Sequence, residues 1–309
     1  KNVWRNNRMK LAQIKNAIVF KATLPNADLL EGHMKECMFS DISETEFARS
    51  GFAVNTITGE LVTPITGGYA ITVRRDEKVI PSSVVKKEVE TRVAAIELNS
   101  ECKLKRKDKP VIKNNVIVEL CKTAFVKTTY LFAYYDEANK LLIVATGSKP
   151  LSDIVVSLLV KACGSVKTET INVSDVKHGL TTRLRTYLTS GLEPFEGFRF
   201  SDFIQLGRLG DQKEIIKYSG SEIDDMQQEI IDKLDAGFIV EKVRLDMDGI
   251  SFQLTEKFHF KAINLLSDIN YQNEDDLPYR WRQEAGVKLF FMRTVVLGLV
   301  SVLEYKAEK

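Results

Sequence analysis

The chain has 309 residues, 44% of them hydrophobic and 28% charged, and a formal net charge of +2. That balance describes an ordinary folded protein with room for one large core or two to three smaller ones, and it excludes disordered and collagen-like chains. Four cysteines (Cys37, Cys102, Cys121, Cys163) are scattered without a CxxC pair, so neither a disulfide framework nor a zinc site is indicated, and a reducing cytoplasm is expected.

The opening Lys1–Lys10 leads into mixed polar sequence rather than an apolar signal core, so no secretory signal is expected. Lys15–Ala22 reads as a short strand and Ala27–Cys37 as a helix. Gly59–Val73 carries strand signals broken by Pro64 and by Gly67-Gly68. Pro81 with Ser82 and Ser83 makes a helix entry, with serine expected to cap the first free amides. Val85, Val89, Val93 and Ile96 then recur at helical spacing. After the basic run Lys103–Lys109, Pro110 restarts a helix with Ile112, Val116 and Leu120 on one face. Phe125–Tyr135 alternates, Asp136–Asn139 turns and Lys140–Thr146 returns, which is a hairpin.

Ser152–Cys163 reads as a helix closed by Gly164, and Ser165–Val173 as a strand. Leu180–Thr189 and Ser221–Ala236 read as helices stopped by Gly191 and Gly237. Phe238–Leu245 and Ile250–Phe258 flank a Gly249-supported turn. Tyr279–Tyr305 closes the chain as a long helix. Within it, Thr294–Leu303 is free of charge but only half of the about 20 residues that a membrane span needs, so burial is expected and no membrane partner. The whole is an α+β protein with mixed sheet regions, a helical basic arm and a long C-terminal helix. The expected division is a central region of residues 14–75 and 125–175, an arm of 76–124, a C-terminal α+β region of 176–309 and an N-terminal extension of 1–13. A hinge is expected within Gly191–Gly197.

Charge is uneven along the chain. Arg74–Lys113 carries twelve Lys or Arg against seven Asp or Glu, whereas Asp211–Asp276 carries sixteen acidic residues against seven basic ones. A polyanion is therefore expected to meet the N-terminal half and to be repelled by much of the C-terminal half. The candidate phosphate contacts are Lys103, Lys105, Arg106, Lys107, Lys109 and Lys113, followed by Arg74, Arg75, Lys78, Lys86 and Lys87. The plain alternative is a solvated helical hairpin whose cations pair with Asp76, Glu77, Glu88 and Glu90, contacts worth little energetically. No groove-reading motif is present, so binding without sequence preference is expected.

The order of motifs sharpens this reading. Arg75-Asp-Glu-Lys-Val-Ile-Pro-Ser-Ser-Val-Val-Lys-Lys87, the Lys-Leu-Lys-Arg-Lys run and Thr123-Ala-Phe-Val126 together resemble the bacterial recombination-associated RdgC family. Ile14–Phe20, Asn139–Val144 and Tyr271–Asp275 resemble its N-terminal strand, its hairpin return and a short acidic signature. Phe52 stands where the family usually has Trp after Gly, and the residues before Leu11 have no counterpart. The resemblance implies a non-enzymatic, cytoplasmic and nucleoid-associated protein without a cofactor or metal. It implies a ring-shaped homodimer that encircles double-stranded DNA without sequence preference and tempers RecA-dependent recombination. It also places Phe125 at a dimer contact, although an aromatic opening a strand is commonly a core residue.

Two other functions fit the residues. A metal-dependent DNA exonuclease could use the acidic-x-Lys fragment Asp76-Glu-Lys78, but Glu101-Cys-Lys103, Asp175-Val-Lys177, Asp211-Gln-Lys213 and Glu304-Tyr-Lys306 match it equally well. A protein-interaction module could bind an acidic partner through the basic arm. His33, His178 and His259 are isolated and show no metal-ligand spacing.

Overall fold

The computed structural model describes residues 12, 14–171, 179–191, 196–210, 212–220, 223–265 and 276–302. The first half contains β1 (Ala17–Lys21), α1 (Ala27–Met34) running into a 3₁₀ turn, β2 (Ala48–Ala53), β3 (Val62–Ile65), β4 (Gly68–Lys78), α2 (Ser82–Ser100), α3 (Lys109–Cys121), β5 (Val126–Asp136), β6 (Leu141–Val144), α4 (Lys149–Cys163) and β7 (Glu169–Thr170). The second half contains α5 (Gly179–Ser190), β8 (Arg199–Leu209), β9 (Lys213–Ser219), a 3₁₀ turn at Ile223–Met226, α6 (Gln227–Asp235), β10 (Ile239–Met247), β11 (Ile250–Thr255), β12 (His259–Leu265) and α7 (Leu277–Val302).

The strands form one twelve-stranded sheet in the order β2-β4-β5-β6-β1-β12-β11-β10-β8-β9, with β3 on β4 and β7 on β1. Every pairing between these strands is antiparallel, which corrects the expected mixed sheet; the parallel element is the single bridge Met38–Phe52. β1 joins the halves, pairing through Ile18–Val144 on one side and Ile18–His259 on the other. The sheet thus runs across the expected boundary near residue 176.

Alternation along the strands feeds two cores. Leu131, Ala133 and Tyr135 of β5, with Ile18, Phe20, Tyr69, Ile71 and Val73, pack beneath α1 (Leu30, Met34) and α4 (Val155, Leu159). Tyr134, Val19 and Ala70 face the other way, into a core shared with α5, α6, α7 and the second half of the sheet. α7 is long and apolar enough, by length and composition, to cross a membrane. Its Trp281, Ala285, Leu289, Met292, Val295, Val296 and Leu299 are buried in this second core, with the Trp281 ring stacked 6.4 Å from Tyr134. Beneath it, Glu284 and Lys288 form a buried pair 3.4 Å apart, and Glu284 also accepts the Ala12 N–H.

Several local expectations are corrected. α2 begins at Ser82 with Pro81 at the cap position, and neither serine supplies a side-chain cap bond. The helix expected at 221–236 breaks into the 3₁₀ turn and α6, and the strand expected at 165–173 is the two-residue β7. β2, β8, β9 and β12 were not expected. The extension apart from Ala12, the middle of the Gly191–Gly197 hinge, residues 172–173, His178 and the 271–275 signature lie outside the described residues.

Candidate nucleic-acid interface

β4 and β5 pair over eleven positions, from Gly68–Asp136 to Lys78–Val126. Beyond that ladder the chain runs out along α2, turns through residues 101–108 and returns along α3, so the arm is a helical pair on the end of a long β-hairpin. At its root the Val79 N–H donates to the Phe125 carbonyl at 2.8 Å. α2 and α3 pack on each other. The half-buried Val89 and Val93 and the buried Val85 face the half-buried Ile112 and Leu120 and the buried Val116, as the spacing of apolar residues predicts, whereas Ile96, expected on the same stripe, is exposed. A groove of about 670 Å³ remains between the helices, lined in part by Phe47, Ile80, Val85, Val93 and Ile117.

The carboxylates of the two arm helices, Glu88, Glu90, Glu97 and Glu119, are used within the arm. The Arg92 guanidinium donates to Glu88 at 2.9 Å and, from both terminal nitrogens, to Glu119 at 3.0 and 2.5 Å, clamping α2 to α3. This pairing holds the Glu119 carboxyl below its ordinary range. Glu97 accepts the Leu104 N–H at 2.9 Å and secures the turn, while Glu90 sits 3.9 Å from Lys86. Arg92, absent from the expected site, is the residue that makes this sorting possible. Lys87, Lys103, Lys105, Arg106, Lys107, Lys109 and Lys113 are all exposed, and none makes an ion pair among the described residues. The tip therefore presents a cationic surface, with Glu101 and Asp108 as its acidic residues, on two helices whose own carboxylates are already engaged.

Arg74, Arg75 and Lys78 sit elsewhere. β4 continues to Lys78, so side chains 74, 76 and 78 share one face and 75 and 77 the other. Arg74 forks onto Asp76 at 3.0 and 2.7 Å and lies over the Phe39 ring at 4.2 Å. Arg74 also holds the buried Asp76 carboxyl below the usual carboxylate range, with help from Thr128. Arg75 donates to Glu77 and Ser50. Lys78 is 8% exposed, close enough to the buried Cys121 thiol to oppose the upward push of burial on it. These three belong to the strand scaffold beneath the arm and not to its free cationic tip.

Phe125 is 87% exposed and is no core residue. Val79, Val126 and Phe47 are also partly open at the root of the arm. Of the acidic-x-Lys fragments, Asp76-Glu-Lys78 has its aspartate sealed by Arg74 and its lysine buried. No group of three or more His, Cys, Asp or Glu side chains among the described residues could hold a metal ion.

The family model described as "Putative exonuclease, RdgC" matches residues 13–305. The recombination-associated protein RdgC of Psychromonas ingrahamii is 29% identical over 267 residues, covering 84% of this chain and 86% of the relative. The proteins of the same name from Sodalis glossinidius and Proteus mirabilis are 25% and 26% identical over 295 and 305 residues, covering 94% and 95% of this chain and 95% and 99% of theirs. A match that spans nearly the whole chain, together with the basic arm set on its β-hairpin, leads to one conclusion: the chain belongs to the RdgC family.

Proposed function

We propose that this protein binds double-stranded DNA without sequence preference, acts as a homodimer closed around the duplex, and restrains RecA-dependent recombination by occupying DNA in the nucleoid. The observation that carries the reading is the arm's tip, where six exposed cations, Lys103, Lys105, Arg106, Lys107, Lys109 and Lys113, stand without ion-pair partners among the described residues. Each phosphate met by such a group releases condensed counterion, so affinity follows the number of free cations and falls steeply with salt. Long lysine and arginine side chains on a turn offer charge without a fixed set of base-edge contacts, which suits binding that ignores sequence. The names of the relatives tie them to recombination, and DNA is the substrate of that process.

The test is the triple variant Lys105→Glu, Arg106→Glu, Lys107→Glu, which is expected to weaken duplex binding at moderate salt by tenfold or more, on the order of 1.4 kcal/mol. A folded variant with wild-type affinity would sink the assignment. Encirclement predicts retention on circular duplex and loss from the ends of linear duplex of equal length. The same linear duplex, incubated with Mg²⁺, is expected to keep its full length; progressive shortening that disappears in the Asp76→Asn variant would establish the exonuclease reading instead.

A further inference from the structure

Counting charges along the sequence averages two faces of the second half of the sheet that differ in kind. On β11, Ile250, Phe252 and Leu254 enter the core shared with α7, while Ser251, Gln253 and Thr255 alternate to the opposite side. That opposite side is the continuation of the face that α1 and α4 cover in the first half, because Ile18, packed beneath them, pairs with His259. Beyond the start of α4 no helix core claims it among the described residues.

Cations and neutral polar side chains alternate on this open face, with Phe203, Leu209 and Ile215 among them at the β8–β9 end. Lys217 lies beside Gln205, Lys242 beside Thr255, and Lys261 beside Gln253, with Lys257 in the exposed turn between β11 and β12. Most of the carboxylates that reach the face are already engaged; Asp246, beside Ser251, has a buried oxygen without a hydrogen-bond partner among the described residues. Asp202 holds Arg244 at 2.7 Å, Glu241 holds Lys213 at 2.7 Å and accepts from Gln205 at 2.8 Å, and Asp153 pairs with Lys149. Lys261 donates to the neutral Gly147 carbonyl, and Lys242 stands 5.5 Å from the centre of the Phe203 ring. Lys217, Lys242, Lys257 and Lys261 therefore have no ion-pair partner among the described residues. Their mutual field is felt by neighbours: burial, then Lys261, Lys149 and Lys257, hold the His259 imidazole below its ordinary range, and Lys242 adds to the effect of burial on Lys261.

We infer that this open face is a second phosphate-binding surface, on which Lys217, Lys242, Lys257 and Lys261 engage the backbone of the same duplex that the arm's tip contacts. The inference rests on the DNA-binding reading above. Its reach argues for a polymer: β9 and β12 are four strand spacings apart in the sheet order, on the order of 19 Å, whereas phosphates along one strand of duplex recur about every 3.4 Å of axis. A free phosphate or a single nucleotide would meet only part of the row. Glutamine, serine and threonine side chains between the lysines are further phosphate donors of ordinary kind.

The experiment compares three proteins, the wild type, the arm variant Lys105→Glu/Arg106→Glu/Lys107→Glu, and the face variant Lys217→Gln/Lys242→Gln/Lys257→Gln. Lys261 is left in place because it bonds Gly147. Binding to one random duplex is measured across a salt series. The face variant is expected to bind at least tenfold more weakly at about 0.1 M salt, and its log–log salt slope to be shallower by about 2 to 3. In the wild type, duplex is expected to protect Lys242 and Lys257 from chemical acetylation read by mass spectrometry, which needs no variant to fold. An unchanged slope with unprotected lysines overturns this inference, and if the arm variant still loses binding the DNA-binding reading stands. Loss in the face variant but not in the arm variant upholds the inference and removes the arm from the site. A wild type that binds no duplex overturns both.

Discussion

The variant Phe125→Ser tests whether the open ring at the root of the arm is a subunit contact. Phe125 is 87% exposed, and an aromatic side chain offers on the order of 200 Å², so roughly 170 Å² of apolar surface awaits a partner. At about 25 cal/mol/Å² its full burial is worth about 4 kcal/mol per ring, an upper bound because some ring edge stays wet at any contact. A two-fold contact uses both copies. Retaining only part of that value, the variant is expected to raise the dimer dissociation constant by about 100-fold or more, some 2.7 kcal/mol. Sedimentation velocity from nanomolar to micromolar protein reads this directly. Thermal unfolding is then compared at a dilution where both proteins are monomeric, since assembly alone raises the midpoint by mass action. There the two midpoints should coincide, because serine removes nothing from the monomer's interior. An unchanged dissociation constant, or a lowered monomer midpoint, refutes the reasoning.

Further outcomes follow from the geometry. Arg92→Met releases Glu88 and Glu119, so amides of α2 and α3 should exchange faster while those of β5 and β6 do not; equal protection would show that the clamp is idle. Gly68→Ala places a methyl group into the Tyr135 carbonyl at the start of the β4–β5 ladder, and urea unfolding should report a loss of about 3 kcal/mol; a loss under about 1 kcal/mol would mean the ladder yields there. His259 has a folded pKa below its unfolded value near 6.5. The unfolded chain therefore takes up the proton first, and stability, full above pH 6.5, declines as pH falls through that value toward the folded pKa. His259→Gln should flatten the difference in unfolding free energy between pH 7 and 5 relative to the wild type, where Lys149, Lys257 and Lys261 face the ring and Asp153 offsets Lys149; parallel curves would refute it.

Elements with strong punctuation were legible in the sequence. Pro81 and Pro110 mark the two arm helices, Asp136–Asn139 marks the β5–β6 turn, and Gly164 and Gly249 adopt the positive φ of 82° and 79° expected at a helix end and a tight turn. Strands without such marks were missed. In β8, Arg199, Asp202 and Gln205 dilute the apolar alternation because one of its faces is the open one, Arg208 interrupts the other face beside Phe238, and β12 is interrupted by Ala262 at φ 47°. The arm's tip was readable because consecutive cations in a turn stay exposed. Arg74 and Lys78 were not, because the strand was expected to end at Val73. Carried on to Lys78, the period of two puts Arg74 beside Asp76, and the pairing becomes visible without coordinates. The cationic face of β9–β12 could not be found by counting, since its lysines alternate with core residues and are outnumbered by carboxylates elsewhere in the same stretch.

The long β4–β5 ladder has a mechanical consequence. Both strands enter the arm at the same end, so tension applied at the tip pulls them together in one direction. Their hydrogen bonds to β2 and β6 lie across that pull, six register pairs on one side and four on the other, and must slide as a block rather than open one after another. An arm mounted this way resists a pull along its strands far better than one mounted on a loop would.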